Sequence, residues 1–121
     1  FLKQALSGKP LTVAGKGEQT RTFCYVDDLV EGLLLAMKKG RSEEVYNLGS
    51  DQEIAIKDLA KLIIKVAKSK SKITFVDRPT HDHNRRLPSL RKVRTLGWKP
   101  KTSLEEGLMK TFAWYKTLHK L

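Results

Sequence analysis

Three stretches of the chain repeat their apolar residues at helical spacing. Ile56, Leu59, Ala60, Ile63 and Ala67 form one stripe, mostly opposite Lys61, Lys65 and Lys68; this predicts an amphipathic helix over 56–68. Leu29, Leu33 and Met37, with Val30 and Leu34 beside them, predict a second helix ending at Gly40 behind Lys38 and Lys39. Asp27 is placed to cap it, and Asp28 suits the positive end of its dipole. Leu104, Leu108, Phe112 and Tyr115 predict a third, opened by the capping box Ser103-Leu-Glu-Glu106. Leu11–Ala14, Val45–Leu48 and Ile73–Val76 are short apolar runs that predict strands. Phe23 and Tyr25 alternate with Cys24 and Val26, predicting a strand from Arg21 to Val26.

Glycine, proline and polar residues supply the punctuation. Gly15-Lys-Gly17 predicts a turn, because glycine accepts positive φ. Residues 77–89 predict a polar loop, after which Ser89 is placed to cap a short helix, Leu90–Leu96, closed by Gly97. The first residues read as the end of a helix closed by Gly8, so the chain is expected to be a fragment. One helix start is anomalous. Ala55 stands where a cap belongs on the 56–68 helix, and a cap lost to Ala costs roughly 0.5–2 kcal/mol.

Composition narrows the class. A chain of 121 residues predicts one domain, residues 1–121. No apolar run approaches the ~20 residues needed to span a bilayer. Cys24 is the single cysteine; it reads as a small buried hydrophobe in a reducing compartment, and the expected location is the cytoplasm. Charge is uneven: residues 1–60 carry 8 Lys/Arg against 9 Asp/Glu, and residues 61–121 carry 16 against 4. That asymmetry is open to a nucleic-acid surface, a solvated lysine face or a site for a small anion. The lysines form no dense tract and do not alternate with exposed aromatics, so nucleic acid is the least favoured.

The candidate chemistry is anion binding. Arginine presents two parallel N–H groups to a phosphate. Arg21 begins a strand after the glycine turn, and Arg85 and Arg86 lie in the polar loop shortly before a helix start. Two arginines from such distant segments could clamp a diphosphate from opposite sides, although the pattern alone favours surface or salt-bridged arginines over that reading. His81-Asp-His83 suggests a metal but lacks further ligands, since the one other histidine is the distant His119. Asp82 is better read as orienting the loop or pairing with a neighbouring arginine. The sequence contains no Gly-x-Gly-x-x-Gly loop, no Tyr-x-x-x-Lys and no nucleophile–His–acid set. No catalytic residue and no metal ligand is expected in it.

From Gln19 to Gly32 (Gln-Thr-Arg-Thr-Phe-Cys-Tyr-Val-Asp-Asp-Leu-Val-Glu-Gly) the chain resembles the extended short-chain dehydrogenase/reductase family of nucleotide-sugar epimerases, dehydratases and decarboxylases. Within that family it is most similar to the UDP-glucuronate decarboxylase branch. Asn47-Leu-Gly49, Arg85-Arg86-Leu-Pro-Ser-Leu90, Leu96-Gly-Trp-Lys-Pro100 and Ser103-Leu-Glu-Glu-Gly-Leu108 follow in the family's order and spacing. The resemblance implies an α/β fold, here an α+β fragment with short strands and about four helices. It would be the carboxy-terminal substrate-binding domain, without the Rossmann domain it packs against. That absent partner should leave an apolar face exposed.

The resemblance also implies a nucleotide-diphosphate sugar as ligand, a UDP-sugar foremost, with Arg21 and Arg86 on the diphosphate. Residues near Leu11 to Val13 match the segment beside the nucleobase, and Tyr25 matches a tyrosine read first as structural. NAD and catalysis belong to the parent enzyme, which oxidises a sugar carbon, acts on the keto-sugar and in most members returns the hydride. The parent is expected to be a homodimer, and the Golgi lumen is the alternative location if it is a membrane-anchored homologue. A standalone nucleotide-sugar binder or partner-binding module is the competing function. Ala14 stands where the family commonly has tyrosine, Lys16 where a polar or acidic residue is usual, and Ser89 where aspartate is usual.

Overall fold

The structure is a computed structural model and describes residues 1–119, with His119 described by its backbone only. The elements, in chain order, are α1 (Leu2–Leu6), β1 (Leu11–Ala14), β2 (Thr20–Thr22), α2 (Val26–Lys39), β3 (Glu53–Ala55), α3 (Ile56–Ala67), β4 (Ile73–Val76), α4 (Arg91–Arg94) and α5 (Leu104–His119). This is an α/β architecture of short strands, with three substantial helices and two of one turn or so. β1 and β4 pair in parallel, Leu11 opposite Ile73 and Ala14 opposite Val76. β2 and β3 pair antiparallel, Thr20 opposite Ala55 and Thr22 opposite Glu53.

The main core forms where the period-2 pattern of β1 meets the period-3.6 stripe of α3. Leu11 and Val13 are fully buried, as are Ala60 and, nearly so, Leu59 and Ile63. Ala5, Ile73, Leu104 and Leu108 complete this cluster. Each large aliphatic side chain buried in this way contributes about 1.5–3 kcal/mol. A smaller core gathers Leu90, Val93 and Trp98 against Leu35, Tyr46, Leu48 and Cys24.

The uncapped start of α3 has a structural answer. Ala55 is the N-cap residue and makes no side-chain cap bond. The N–H of Ile56 donates to the carbonyl of Gln19 at 3.0 Å, and the N–H of Lys57 to that of Gly17 at 2.9 Å. The glycine turn and the Gln19 that follows it thus satisfy two of the helix's unpaired donors with backbone carbonyls. Gly17 has φ +68°, and a Cβ there would meet Val13 Cγ1 at 2.6 Å and Lys57 Cβ at 2.8 Å. Only glycine fits.

Several expected elements differ. Strand pairing from Arg21 stops at Thr22, because β3 is only three residues long, and Tyr25 already serves as the N-cap of α2. Asp27 therefore falls inside the first turn and does not cap it. Asp28 does more than favour the dipole: its carboxylate accepts the N–H groups of Lys101 (3.0 Å) and Thr102 (2.8 Å), tying α2 to the approach of α5. Burial pushes the Asp28 carboxyl up, but the hydrogen bonds from Thr102 and Lys101 outweigh it and hold the group below its ordinary range. The short helix at 90–96 contracts to α4, whose N-cap is Leu90 rather than Ser89. In α5, Ser103 does cap, accepting the Glu106 N–H at 3.2 Å.

Two departures concern surface. The apolar stripe expected to bury α2 lies open: Leu33 is 50% exposed and Met37 83%, and Val26, Val30 and Leu34 are exposed beside them. What α2 buries is the face of Asp28 and Gly32. Val45–Leu48 is not a strand. Among the described residues it forms no backbone ladder with another segment, although Tyr46 and Leu48 pack inward while Val45 is exposed. A strand needs a neighbour to hydrogen-bond, and among the described residues none pairs with it.

Candidate functional site

β2 places Arg21 at the centre of the site. On one side β2 pairs with β3; on the other, Thr20 bridges to Arg85 and its N–H donates to the carbonyl of Asn84 at 2.9 Å. The loop after β4 is therefore laid along β2. The result is an open cleft of about 600 Å³ lined by Arg21, Thr22, Arg85, Arg86, Leu87 and Pro88. Two arginines 65 residues apart in the chain thus reach the same space.

The three arginines are held differently. Arg21 is largely buried; its Nη1 donates to the Thr20 carbonyl at 2.7 Å, and its Nη2 donates to Asp82 Oδ1. Arg85 is committed to Glu53 through two parallel bonds, Nε to Oε1 at 2.8 Å and Nη2 to Oε2 at 2.6 Å. The Thr20 hydroxyl adds a third bond to the same carboxylate at 2.7 Å. Arg85's bonds foremost, then Thr20's, pull the Glu53 carboxyl down to about 2, and the pair raises Arg85 in turn. Arg86 is exposed and makes no ion pair among the described residues. Arg85 therefore braces β3 against the loop, while Arg21 and Arg86 retain N–H groups that no bond among the described residues uses.

Asp82 pairs as its sequence context suggested, but with two arginines. Its second oxygen accepts from Arg78 Nε at 3.1 Å. Partial burial pushes this carboxyl up; the bond from Arg78 and the charges of Arg21, Arg78 and Arg86 prevail and hold it low. Among the described residues no group of three or more His, Cys, Asp or Glu is arranged to hold a metal ion. His81 and His83 are exposed, and the side chain of His119 lies outside the described residues.

The other expected site residues lie elsewhere. The side chains of Leu11 and Val13 are sealed in the core, so the β1 segment has only its backbone and the flanking Thr12 and Ala14 to offer a ligand. Tyr25 is not in the arginine cleft. It lines a separate cavity of about 150 Å³ with Phe23, Cys24 and Leu108, its ring contacts Gly107, and Lys110 sits 5.2 Å above it. Cys24 lines the same cavity, where burial and the charge of Asp28 push its thiol up, away from a reactive thiolate. Arg78 and Glu53 were not legible as parts of the site; Arg78 stands four residues before Asp82, but nothing in the sequence around Glu53 points to Arg85.

The glycine turn is no dinucleotide cradle. The space above Gly17 that a pyrophosphate would need is filled by Val13 and Lys57 of the same chain. That turn does not fit the pyrophosphate of a dinucleotide. The basic second half is also less available than its charge suggests: Lys61, Lys65, Arg78, Arg85, Lys92, Arg94, Lys101 and Lys110 all make ion pairs.

A short-stranded α/β scaffold here brings arginines from two distant segments to one cleft. The family model described as GDP-mannose 4,6 dehydratase matches residues 1–111, and the chain belongs to the extended short-chain dehydrogenase/reductase family of nucleotide-sugar epimerases, dehydratases and decarboxylases. It is 46% identical over 117 residues to UDP-glucuronic acid decarboxylase 1 of Xenopus tropicalis, covering 96% of this chain and 28% of that protein. It is 36% identical over 124 residues to human dTDP-D-glucose 4,6-dehydratase, covering 96% of this chain and 35% of that one.

Among solved structures, UDP-glucose 4-epimerase of Thermotoga maritima with UDP-glucose superposes with a TM-score of 0.92 at 32% identity, over 98% of this chain and 38% of that chain. UDP-glucuronic acid 4-epimerase of Bacillus cereus, in complex with UDP-glucuronic acid and NAD, gives 0.89 at 30% identity over 97% and 38%. The chain thus spans about a third of the length of the relatives it matches.

Proposed function

We propose that this chain is the nucleotide-diphosphate-sugar-holding part of an NAD-dependent enzyme of the UDP-glucuronate decarboxylase type. The observation that carries this is the cleft shared by Arg21 and Arg86, both with N–H groups to spare. A diphosphate needs at least two such donors on converging sides, and guanidinium forks meet its oxygens in pairs. Holding it on a braced scaffold fixes the sugar ring where the reaction occurs, which is the contribution binding energy makes to rate. Residues outside this chain would bind NAD and supply the proton-transfer groups.

The surfaces support the same reading. The open apolar ridge of α2 and the unpaired Val45–Leu48 segment are what a Rossmann domain would cover, its sheet offering a neighbour to the segment and its apolar side chains a partner to the ridge. The parent is proposed to be a homodimer.

Calorimetry with UDP and UDP-glucuronate tests the proposal. The chain is expected to bind both, UDP more weakly than the intact parent does. Arg21→Ala and Arg86→Ala should each cost about 1.5–3 kcal/mol, the worth of a hydrogen bond to a charged group, or roughly 10- to 150-fold in Kd. Unchanged affinity in both variants removes the proposal. Binding of single-stranded DNA or RNA with steep salt dependence, and no response to UDP, would instead support the nucleic-acid reading.

A further inference from the structure

Among the described residues, the Arg21 side chain makes one bond to its own strand, from Nη1 to the Thr20 carbonyl. Its orientation toward the cleft depends on a second group, Asp82, and Asp82 belongs to a closed ring of contacts. Arg21 Nη2 donates to Asp82 Oδ1, and Arg78 Nε donates to Asp82 Oδ2. Arg78 also donates through Nη2 to the Asp82 carbonyl at 3.0 Å and through Nη1 to Asn84 Oδ1 at 2.7 Å. The Asn84 carbonyl then accepts the Thr20 N–H at 2.9 Å, returning the ring to the residue beside Arg21. Arg86 leaves this ring two residues after Asn84.

We infer that Asp82 is a positioning residue for the diphosphate: it locks Arg21 to the loop that carries Arg86, so that both guanidinium groups face the cleft before a ligand arrives. The inference rests on the diphosphate reading given above. The opposite role, an internal anion that competes with the ligand for Arg21, fits the geometry less well. A guanidinium has five N–H groups; Thr20 and Asp82 take one each, and three remain. Arg21 can therefore hold Asp82 and a diphosphate together. Arg21, Arg78 and Arg86 around one carboxylate also leave a surplus of two positive charges for the ligand. Order imposed before binding spares the ligand the entropy of arranging two long side chains.

The two roles predict opposite signs. UDP titrations of the chain, its Asp82→Asn, Asp82→Glu and Arg21→Ala variants and the Asp82→Asn/Arg21→Ala double variant distinguish them. Asp82→Asn should weaken UDP by about tenfold, Asp82→Glu should recover most of that loss, and in the Arg21→Ala background Asp82→Asn should change Kd by less than about twofold. A loss of structure alone would not be rescued by glutamate and would not vanish when Arg21 is absent. Unchanged or tighter UDP binding by Asp82→Asn overturns the inference while leaving the diphosphate reading in place. No saturable UDP binding by the unmodified chain overturns both. If Asp82→Asn does not fold, Arg78→Gln opens the same ring from its other side, and unchanged UDP affinity in that variant refutes the positioning role.

Discussion

Gly32→Ala sets two effects of opposite sign against each other. Gly32 lies inside α2, where alanine is favoured over glycine by about 1 kcal/mol through helix propensity alone. The added Cβ, however, would stand 2.8 Å from Leu48 Cδ2, 2.8 Å from Trp98 Cε2 and 3.0 Å from Trp98 Nε1. The indole cannot simply withdraw. Trp98 is 4% exposed, and its Nε1–H donates to the Asp28 carbonyl at 3.0 Å. Overpacking of this kind costs about 1–3 kcal/mol, and loosening the indole bond adds about 0.5–1.5. Net destabilisation is thus about 0.5–3.5 kcal/mol, a fall in urea midpoint of roughly 0.3–2 M for a chain of this size. Urea unfolding followed by circular dichroism and tryptophan fluorescence measures it. Gly107→Ala is the control: in α5 the nearest atom to an added Cβ is Tyr25 Cδ2 at 3.3 Å, so the propensity gain should cancel or exceed the strain. A Gly32→Ala midpoint at or above the unmodified chain's, or one matching Gly107→Ala, refutes the packing argument.

Other outcomes follow from the same contacts. Asp28→Ala strands the N–H groups of Lys101 and Thr102 and should lower stability by about 1–3 kcal/mol in the same assay. Glu53 has a folded pKa of about 2 against an ordinary 4.5. The stability it contributes is therefore complete above pH 4.5 and lost as pH falls toward 2, and Glu53→Gln should flatten that part of the midpoint–pH profile. The open ridge of α2 should make the isolated chain self-associate and bind an apolar dye, and Leu33→Lys should reduce both while shifting stability by less than about 0.5 kcal/mol. Monomeric light scattering without dye binding by the unmodified chain refutes this.

What was legible in the sequence depended on the range of the interaction. β1, α3 and α5 follow from periodicity because their burial is a property of one element's own face. β3 has three residues and no period to detect, and it exists because Thr20–Thr22 lies beside it. Val45–Leu48 shows the converse: its strand pattern is present, but a ladder requires a second strand. The apolar stripe of α2 predicts an inward-facing surface, whereas contacts with Trp98 and Lys101 turn the Gly32 and Asp28 face to the core. The pairing of Arg21 with Arg86 came from the resemblance, since sequence spacing says nothing about which loop folds along which strand. The bonds that tie down Arg85 span 32 residues and no local signal announces them, whereas the Arg78–Asp82 pair is local and follows from reading Asp82 beside a neighbouring arginine.

The glycine turn also bears on how loss-of-function variants of such a protein should be sorted. Gly17 touches no part of the arginine cleft, yet its carbonyl anchors α3 and its missing side chain lets Val13 and Lys57 close together. A substitution there would abolish ligand binding by depleting folded protein, and cooling or a stabilising second mutation should restore it. Replacement of Arg21 should respond to neither. Temperature rescue thus separates two phenotypes that a single-condition screen of the Gly15–Arg21 stretch would record as one.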